Sequence, residues 1–185
     1  TIIQGNPVIK NDSLGLIKNH GLKYVDPDPV ARVAMPDGEQ IGMYLDRKKT
    51  YSEFARFSDR DADRYFSMLE DLDRAKRAFS ASNNTPIGWG PPLDQLLDKL
   101  PNGGTWRRRR ALSAVDVIMH EFTEEHIQAF LLWEACQTFG SVDLPGSGVL
   151  PYSIMGGRQE RSWTIPVGGS GKLTEALVSV ITEHG

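Results

Sequence analysis

The amino-acid sequence predicts an α+β fold in which a mainly helical middle covers a small β-sheet. Short β-favouring runs, separated by turn residues, occupy 22–25, 30–35 and 40–45 in the N-terminal part. Apolar residues then recur at three- and four-residue steps through much of 58–139. A last β-favouring run at 162–166 leads through a glycine-rich turn into a final amphipathic helix. We therefore expect strands in the N-terminal part and just before the final helix.

The N-terminal part begins with a predicted short helix. Residues 11–13 (Asn-Asp-Ser) can cap this helix, which we expect to end at His20. A proline-containing turn at 26–29 separates the first two strands. Asp37 and Gly38 form a strong hairpin signal, because an Asp-Gly pair suits the turns that join antiparallel strands.

The middle of the chain begins with a long predicted helix. Ser58 followed by Asp61 is a capping signature for its N-terminus. The apolar residues that follow give one continuous face over about five turns, as far as Phe79. A rigid, irregular connector at 83–92 and a short helix at 93–100 come next.

Two more helices are predicted after a glycine-containing turn at 101–104. The first runs from about 106 to 122. The second is capped by Thr123 and continues to Phe139 with almost no polar side. Such a helix is either buried all round or lines an apolar pocket. We expect Cys136 in this helix to pack in the core, where its thiolate is disfavoured.

Composition indicates an ordinary globular domain. The chain has 185 residues, of which 39% are hydrophobic and 24% charged, enough for one domain at 1–185 with a substantial core. The net charge of −3 offers no general attraction to nucleic acid. No apolar run reaches the roughly 20 residues that span a bilayer, so we expect no membrane span. The single cysteine suits a reducing compartment, and we expect a cytoplasmic protein.

Four consecutive arginines at 107–110 invite a nucleic-acid interpretation. On one helix, however, they point around the whole circumference and form no single phosphate-contacting stripe. We expect a solvated or partner-contacting face, and leave open contact with a further domain of the same protein or with an anion.

The sequence predicts no metal site and no nucleophile. His120 and His126 are six residues apart, whereas two histidines on one helix bind zinc when they are four apart. Ser147 and Ser170 lie among glycines but lack the strand-turn-helix setting of a nucleophile elbow. Ser170 is instead expected to cap the final helix. The catalytic residues therefore stay unknown.

The glycine-rich turn before the final helix is the most informative feature of the chain. Strand, turn and helix N-terminus together can bring backbone N–H groups close to an anion. A Walker A loop is excluded, because Pro166 and Leu173 stand where it needs a glycine and a hydroxyl residue. A dinucleotide fingerprint is excluded as well, because Thr174 replaces its third glycine.

Residues 166–177 (Pro-Val-Gly-Gly-Ser-Gly-Lys-Leu-Thr-Glu-Ala-Leu) fit the pattern Pro-x-Gly-Gly-x-Gly-x-Leu-x-x-Ala-Leu position by position. This segment resembles the glycine turn of the phytoene dehydrogenase-like flavoproteins, within the amine-oxidase type of FAD enzyme. The motifs 145–148 (Pro-Gly-Ser-Gly) and 155–157 (Met-Gly-Gly) extend the resemblance, as do 20–22 and 26–29 more weakly. The branch it resembles is the one related to pyridine nucleotide-disulfide oxidoreductase domain-containing protein 2.

The resemblance implies an excised substrate-binding (cap) domain of an FAD-dependent oxidoreductase. The family opens with a dinucleotide fingerprint that this chain lacks, and residue 1 is Thr, so we expect the flanking FAD-binding segments to be missing. The implied partners are that FAD-binding domain and an apolar small-molecule substrate; a homo-oligomer stays open. The implied cofactor contacts are Gly168, Gly169, Ser170 and Gly171. The implied substrate contacts are Trp133, Tyr152, Met155 and Trp163.

Two other classes of function stay open on the sequence. One is a non-enzymatic interaction domain that uses the acidic helix and the arginines at 107–110 to hold another protein. The other is a stand-alone small-molecule-binding protein built around the apolar helix at 123–139. Neither the substrate nor the type of oxidation can be read from these residues.

Overall fold

A computed structural model describes residues 6–86, 88–139 and 141–185 of the chain. Within them it contains nine helices and four short strands, so the fold is α+β as predicted. The helices are α1 (Pro7–Lys10), α2 (Arg47–Ala55), α3 (Asp59–Asn83), α4 (Leu93–Leu97), α5 (Gly103–Ala111), α6 (Ala114–Glu121), α7 (Glu125–Phe139), α8 (Leu150–Glu160) and α9 (Gly171–His184). The strands are β1 (Tyr24–Val25), β2 (Ala31–Ala34), β3 (Gln40–Met43) and β4 (Ile165–Pro166).

Contacts within the chain divide it into two compact units. The terminal unit comprises Thr1–Val30 and Arg161–Gly185, and the central unit comprises Ala31–Glu160. Each unit contains one antiparallel pair of strands, β1 with β4 and β2 with β3. The expectation of one domain at 1–185 stays a prediction.

In the terminal unit, a small apolar core lies beneath helix α9. Ala176 on α9 packs with Ile9, Leu16 and Leu22, all of them buried. Strand pairing of Tyr24 with Pro166 joins the two distant parts of the chain. The core thus fixes the N-terminal residues against the strand and helix that flank the glycine turn.

The helix predicted at 11–20 is wrong. Helix α1 ends at Lys10, and turns follow it. Asp12 adopts a positive φ of 50°, and its carboxylate accepts hydrogen bonds from Ile17 N at 2.9 Å and Lys18 N at 3.0 Å. The side chain therefore satisfies the backbone of a loop, a common alternative to helix formation for aspartate.

In the central unit, the predicted hairpin is confirmed. Strands β2 and β3 pair from Ala31 opposite Met43 to Ala34 opposite Gln40. Gly38 in the turn has φ +93°, which glycine adopts without steric cost. Helix α2, which follows, was not predicted. Asp46 caps it by accepting a hydrogen bond from Lys48 N at 2.8 Å.

Helix α3 is the longest element of the central unit, and its predicted start is confirmed. The Ser58 side chain accepts a hydrogen bond from Asp61 N at 3.2 Å. Helix α8 packs against α3 with Gly156 facing Leu72; a Cβ at Gly156 would overlap the Leu72 side chain. Gly156 and Gly157 of the motif at 155–157 therefore lie inside a helix.

The single helix predicted at 106–122 is also wrong, because the chain breaks into α5 and α6. Leu112 between them is extended, with φ −89° and ψ 168°. Ser113 and Asp116 then form a reciprocal capping box, Asp116 N donating to the Ser113 hydroxyl at 3.0 Å. The break is held from outside by Gly146 N and Gly148 N, which both donate to the Leu112 carbonyl at 3.0 Å.

Candidate functional site

The glycine turn between β4 and α9 has the backbone that its sequence predicts. Gly168 and Gly169 have φ of +86° and +96°, a region that side-chain-bearing residues rarely adopt. Gly169 N donates to the Pro166 carbonyl at 3.0 Å and closes the turn. Apart from Gly169 itself and its two chain neighbours, no heavy atom of the described residues lies within 4 Å of where a Cβ on Gly169 would be. Space beside this turn is therefore open.

Ser170 stands at the N-cap position of α9, as predicted, but does not cap the helix with its side chain. Its φ and ψ are −62° and −25°, already helical, and its hydroxyl accepts no hydrogen bond from a described residue of the first turn. A capping serine normally has extended backbone angles. The predicted side-chain cap is therefore wrong.

A cavity of about 340 Å³ lies beside the turn, within the terminal unit. This volume is at the lower end of the range for small-molecule sites. The glycine turn and the start of α9 supply Val167 and Lys172. The lining residues are His20, Gly21, Leu22, Lys23, Val167, Lys172, Glu175 and Ala176.

Three polar side chains of this cavity, those of His20, Lys172 and Glu175, have partners. Lys172 Nζ lies 2.6 Å from Glu175 Oε2. The His20 ring contacts the Ser179 hydroxyl at 3.0 Å through Nδ1 and Glu183 at 3.4 Å through Nε2. The cavity thus offers two lysines, a carboxylate and a hydrogen-bonded imidazole, a set that suits binding and orientation of a polar ligand group.

The four predicted substrate contacts lie in different surroundings. Tyr152 and Met155 are buried in α8. Trp133 on α7 is 41% exposed, and Trp163 belongs to the terminal unit. Their assignment to one substrate pocket stays a prediction. Cys136 is exposed, so its predicted core position is wrong, as is burial of α7 on all sides.

A buried ionic network in the central unit was not predicted from the sequence. Glu121 accepts hydrogen bonds from Arg109 Nε at 2.9 Å, from Arg64 Nη2 at 2.6 Å and from the Tyr152 hydroxyl. Asp71 lies 3.4 Å from Arg109 and balances its charge further. The Tyr152 hydroxyl is therefore engaged inside the protein.

The same network shifts the acidity of its members. Burial alone would raise the pKa of Glu121, but the hydrogen bond from Tyr152 and the charge of Arg109 outweigh it and lower that pKa. Burial, followed by the charge of Glu121, raises the pKa of Tyr152. The Arg109 guanidinium also lies over the rings of Trp106 and Tyr152, 4.9 and 4.3 Å from their centroids. The network therefore favours the ionised form of Glu121 and the neutral form of Tyr152.

The expectation of a solvated face at 107–110 is wrong for one of the four arginines. Arg109 is only 3% exposed. Its neighbour Arg107 is exposed and forms a salt bridge with Asp98 at 3.1 Å. Four residues of identical chemistry thus divide between the interior and the surface because the helix turns through 100° per residue.

His126 acts as an ionic link within the central unit. Its Nδ1 lies 2.7 Å from Glu124 and its Nε2 2.7 Å from Asp37 in the hairpin turn, while its ring stacks on Phe57. Hydrogen bonds to Glu124 and then Asp37 raise the pKa of His126 to about 9. His120 is exposed. In the described parts of the chain, no three His, Cys, Asp or Glu side chains group as metal ligands.

In comparisons with known proteins, neither a family model nor a curated protein matches this chain. Across the described ranges, no helix combines the length and the apolar character needed to cross a membrane.

Proposed function

We propose that this chain is the substrate-binding (cap) portion of an FAD-dependent oxidoreductase of the phytoene dehydrogenase-like type. We further propose that residues 168–171 are its part nearest to the flavin. The observation that carries the proposal is the turn between β4 and α9, where two consecutive positive-φ glycines lie between Val167 and Lys172, two residues that line the cavity. This backbone matches what the sequence motif requires for close approach of a ligand.

The surroundings of the two glycines support a cofactor contact at Gly169 in particular. A Cβ at Gly168 would lie 3.1 Å from the Lys172 side chain, so internal packing contributes to the choice of glycine there. At Gly169 no described atom lies that close. Open space beside a backbone that can approach a flat ring fits a flavin or its linker.

The remaining chemistry would come from the cofactor. Bound flavin supplies hydride acceptance at N5 from an apolar organic substrate, and a protein in this role orients the substrate and excludes water. The described residues offer no acid–base pair in the cavity beyond His20, Lys172 and Glu175, which hydrogen-bond within the terminal unit. On its own, this chain is expected to bind flavin weakly or not at all and to be inactive.

The alternative functions draw less support from the structure. An interaction domain built on 107–110 would need accessible charge, yet Arg109 is buried and Arg107 is paired with Asp98. A small-molecule-binding protein built around α7 would need an open apolar face there. Ile127 and Phe130 on that helix are instead fully buried in the protein core.

The test compares two glycines in the longer protein in which we propose that this chain lies. Gly169 and Gly38 have φ of +96° and +93°, and at neither does an added Cβ come within 4 Å of a described residue other than the chain neighbours. Gly169→Ala and Gly38→Ala should therefore lower stability by a similar amount, about 1–2 kcal/mol. We expect only Gly169→Ala to weaken FAD binding, by about tenfold or more.

FAD affinity would be measured by fluorescence titration of the apoprotein, and folding of both variants checked by circular dichroism. If folded Gly169→Ala binds FAD as tightly as Gly38→Ala does, the turn has only a structural role and the proposal fails.

A further inference from the structure

Glu134 in α7 is a buried acid with an unusual lack of partners. The residue is 0% exposed. Neither of its carboxylate oxygens has a hydrogen-bond partner among the residues that the structure describes. Buried polar side chains in proteins are nearly always hydrogen-bonded, because an unpaired group loses its hydration without compensation.

The surroundings of Glu134 are apolar. Ile127, Phe130 and Leu131 precede it by seven, four and three residues and so lie on the same face of the helix. All three are fully buried, as is the adjacent Ala135. An ionised carboxylate is strongly disfavoured in such a setting.

The charged groups on neighbouring elements compensate Glu134 poorly. Helices α6 and α8 and strand β3 pack against α7, and α2 reaches it through the contact of Phe54 with Phe130. Their titratable or charged residues are Asp116, His120 and Glu121 on α6, Tyr152, Arg158 and Glu160 on α8, and Arg47, Lys48, Lys49, Tyr51 and Glu53 on α2; β3 has none. On α7 itself they are Glu125 and His126, more than two turns away, and the exposed Cys136, two residues after Glu134.

Among these charged groups, Arg158 on α8 is the one that acts electrostatically on Glu134. Burial raises the pKa of Glu134 to about 7, and the charge of Arg158 lowers it only in part. Four of the other ionic groups have ionic partners elsewhere: Glu121 binds Arg109, Glu160 binds Lys76, Arg47 binds Asp73 and Glu53 binds Arg56.

We propose that the proton on Glu134 holds α7 against α8, and that loss of this proton to water loosens the two helices. The protonated acid is neutral and compatible with the apolar face. The carboxylate regains hydration only when the helices separate, and the separated state can still place it near Arg158. The central unit therefore contains a proton-linked element, independent of any function of the glycine turn.

The direction of this pH dependence follows from the pKa of Glu134 when it is buried and when it is exposed. The pKa of Glu134 is about 7 when it is buried, against 4.5 for an ordinary glutamate, so raising the pH between these values favours the opened state. Opening that exposes Glu134 should rise about 20-fold from about pH 5.5 to about pH 7.5.

Hydrogen–deuterium exchange of the whole chain tests the proposal. Protection factors of amides in α7 and α8, corrected for intrinsic exchange, should fall about 20-fold between those two pH values. In Glu134→Gln they should change less than about twofold, and Glu134→Leu gives a second non-titrating variant. Glu125→Gln, at an exposed position of the same helix, should behave like the original protein.

Three results would overturn the proposal. One is an equal fall of protection in the original protein and in folded Glu134→Gln, as judged by circular dichroism. Another is an equal fall in the amides of α3, which would show global unfolding instead of separation of α7 from α8. Arg158→Gln should shift the transition to higher pH, because the charge that favours the carboxylate is then removed; a shift to lower pH also contradicts the proposal.

Discussion

Replacing Arg109 by alanine should destabilise the central unit far more than any other change in the arginine run. The guanidinium is 3% exposed and donates to Glu121 at 2.9 Å. Removing one partner of a buried ion pair leaves the other charge uncompensated, which costs about 3–5 kcal/mol. Arg64 still binds Glu121 at 2.6 Å, so we expect the lower end, about 3 kcal/mol.

Arg108→Ala is the matched control, because it removes the same charge one residue away at an exposed position. An exposed substitution of this kind should change stability by no more than about 0.5 kcal/mol. Thermal unfolding followed by circular dichroism should show a loss of about 6–12 °C for Arg109→Ala, since 1 kcal/mol corresponds to about 2–4 °C at this size. Equal melting temperatures for the two variants would refute a buried, stabilising Arg109.

Two further predictions concern the start of α5 and the histidine link. A Cβ at Gly103 would overlap the Leu97 carbonyl oxygen, whereas the described surroundings of Gly104 leave room for one. Gly103→Ala should therefore cost about 1–3 kcal/mol, while Gly104→Ala should stabilise the protein by about 0.5 kcal/mol; urea unfolding that ranks them equally would contradict this packing. The pKa of His126 is raised from 6.5 to about 9, so its contribution to stability is complete below about pH 6.5 and is lost as the pH rises through 9. Asp37→Asn should lower this pKa in an NMR titration of the imidazole, and an unchanged value would show that Asp37 is not its partner.

The elements that sequence reasoning predicted well are those with strong local signals. Ser58 and Asp61 mark the start of α3, and its apolar period is long enough to be unambiguous. Asp37-Gly38 places the hairpin, because its turn needs a positive φ at Gly38. The glycine turn at 168–171 was found for the same reason, although its ligand stays a proposal.

Other features depend on weaker or on distant interactions. Helix α2 buries only Thr50 and Phe54, so its apolar pattern is too sparse to recognise. The break between α5 and α6 had a local signal, because Ser113 followed by Asp116 is a capping signature. Apolar residues at helical spacing on both sides of it nevertheless suggested one continuous helix. Burial of Arg109 could not be predicted, because its partner Glu121 lies on a different helix.

Flavin content tests the central claim most directly. The visible absorbance spectrum would be recorded for this chain alone and for the longer protein in which we propose that it lies, each purified under the same conditions. We predict that the longer protein carries about one FAD per chain and that this chain alone is colourless. A longer protein without flavin, and unable to bind added FAD, would contradict the assignment to a flavoenzyme. Stoichiometric FAD on this chain alone would contradict the proposal that the cofactor-binding segments lie outside it.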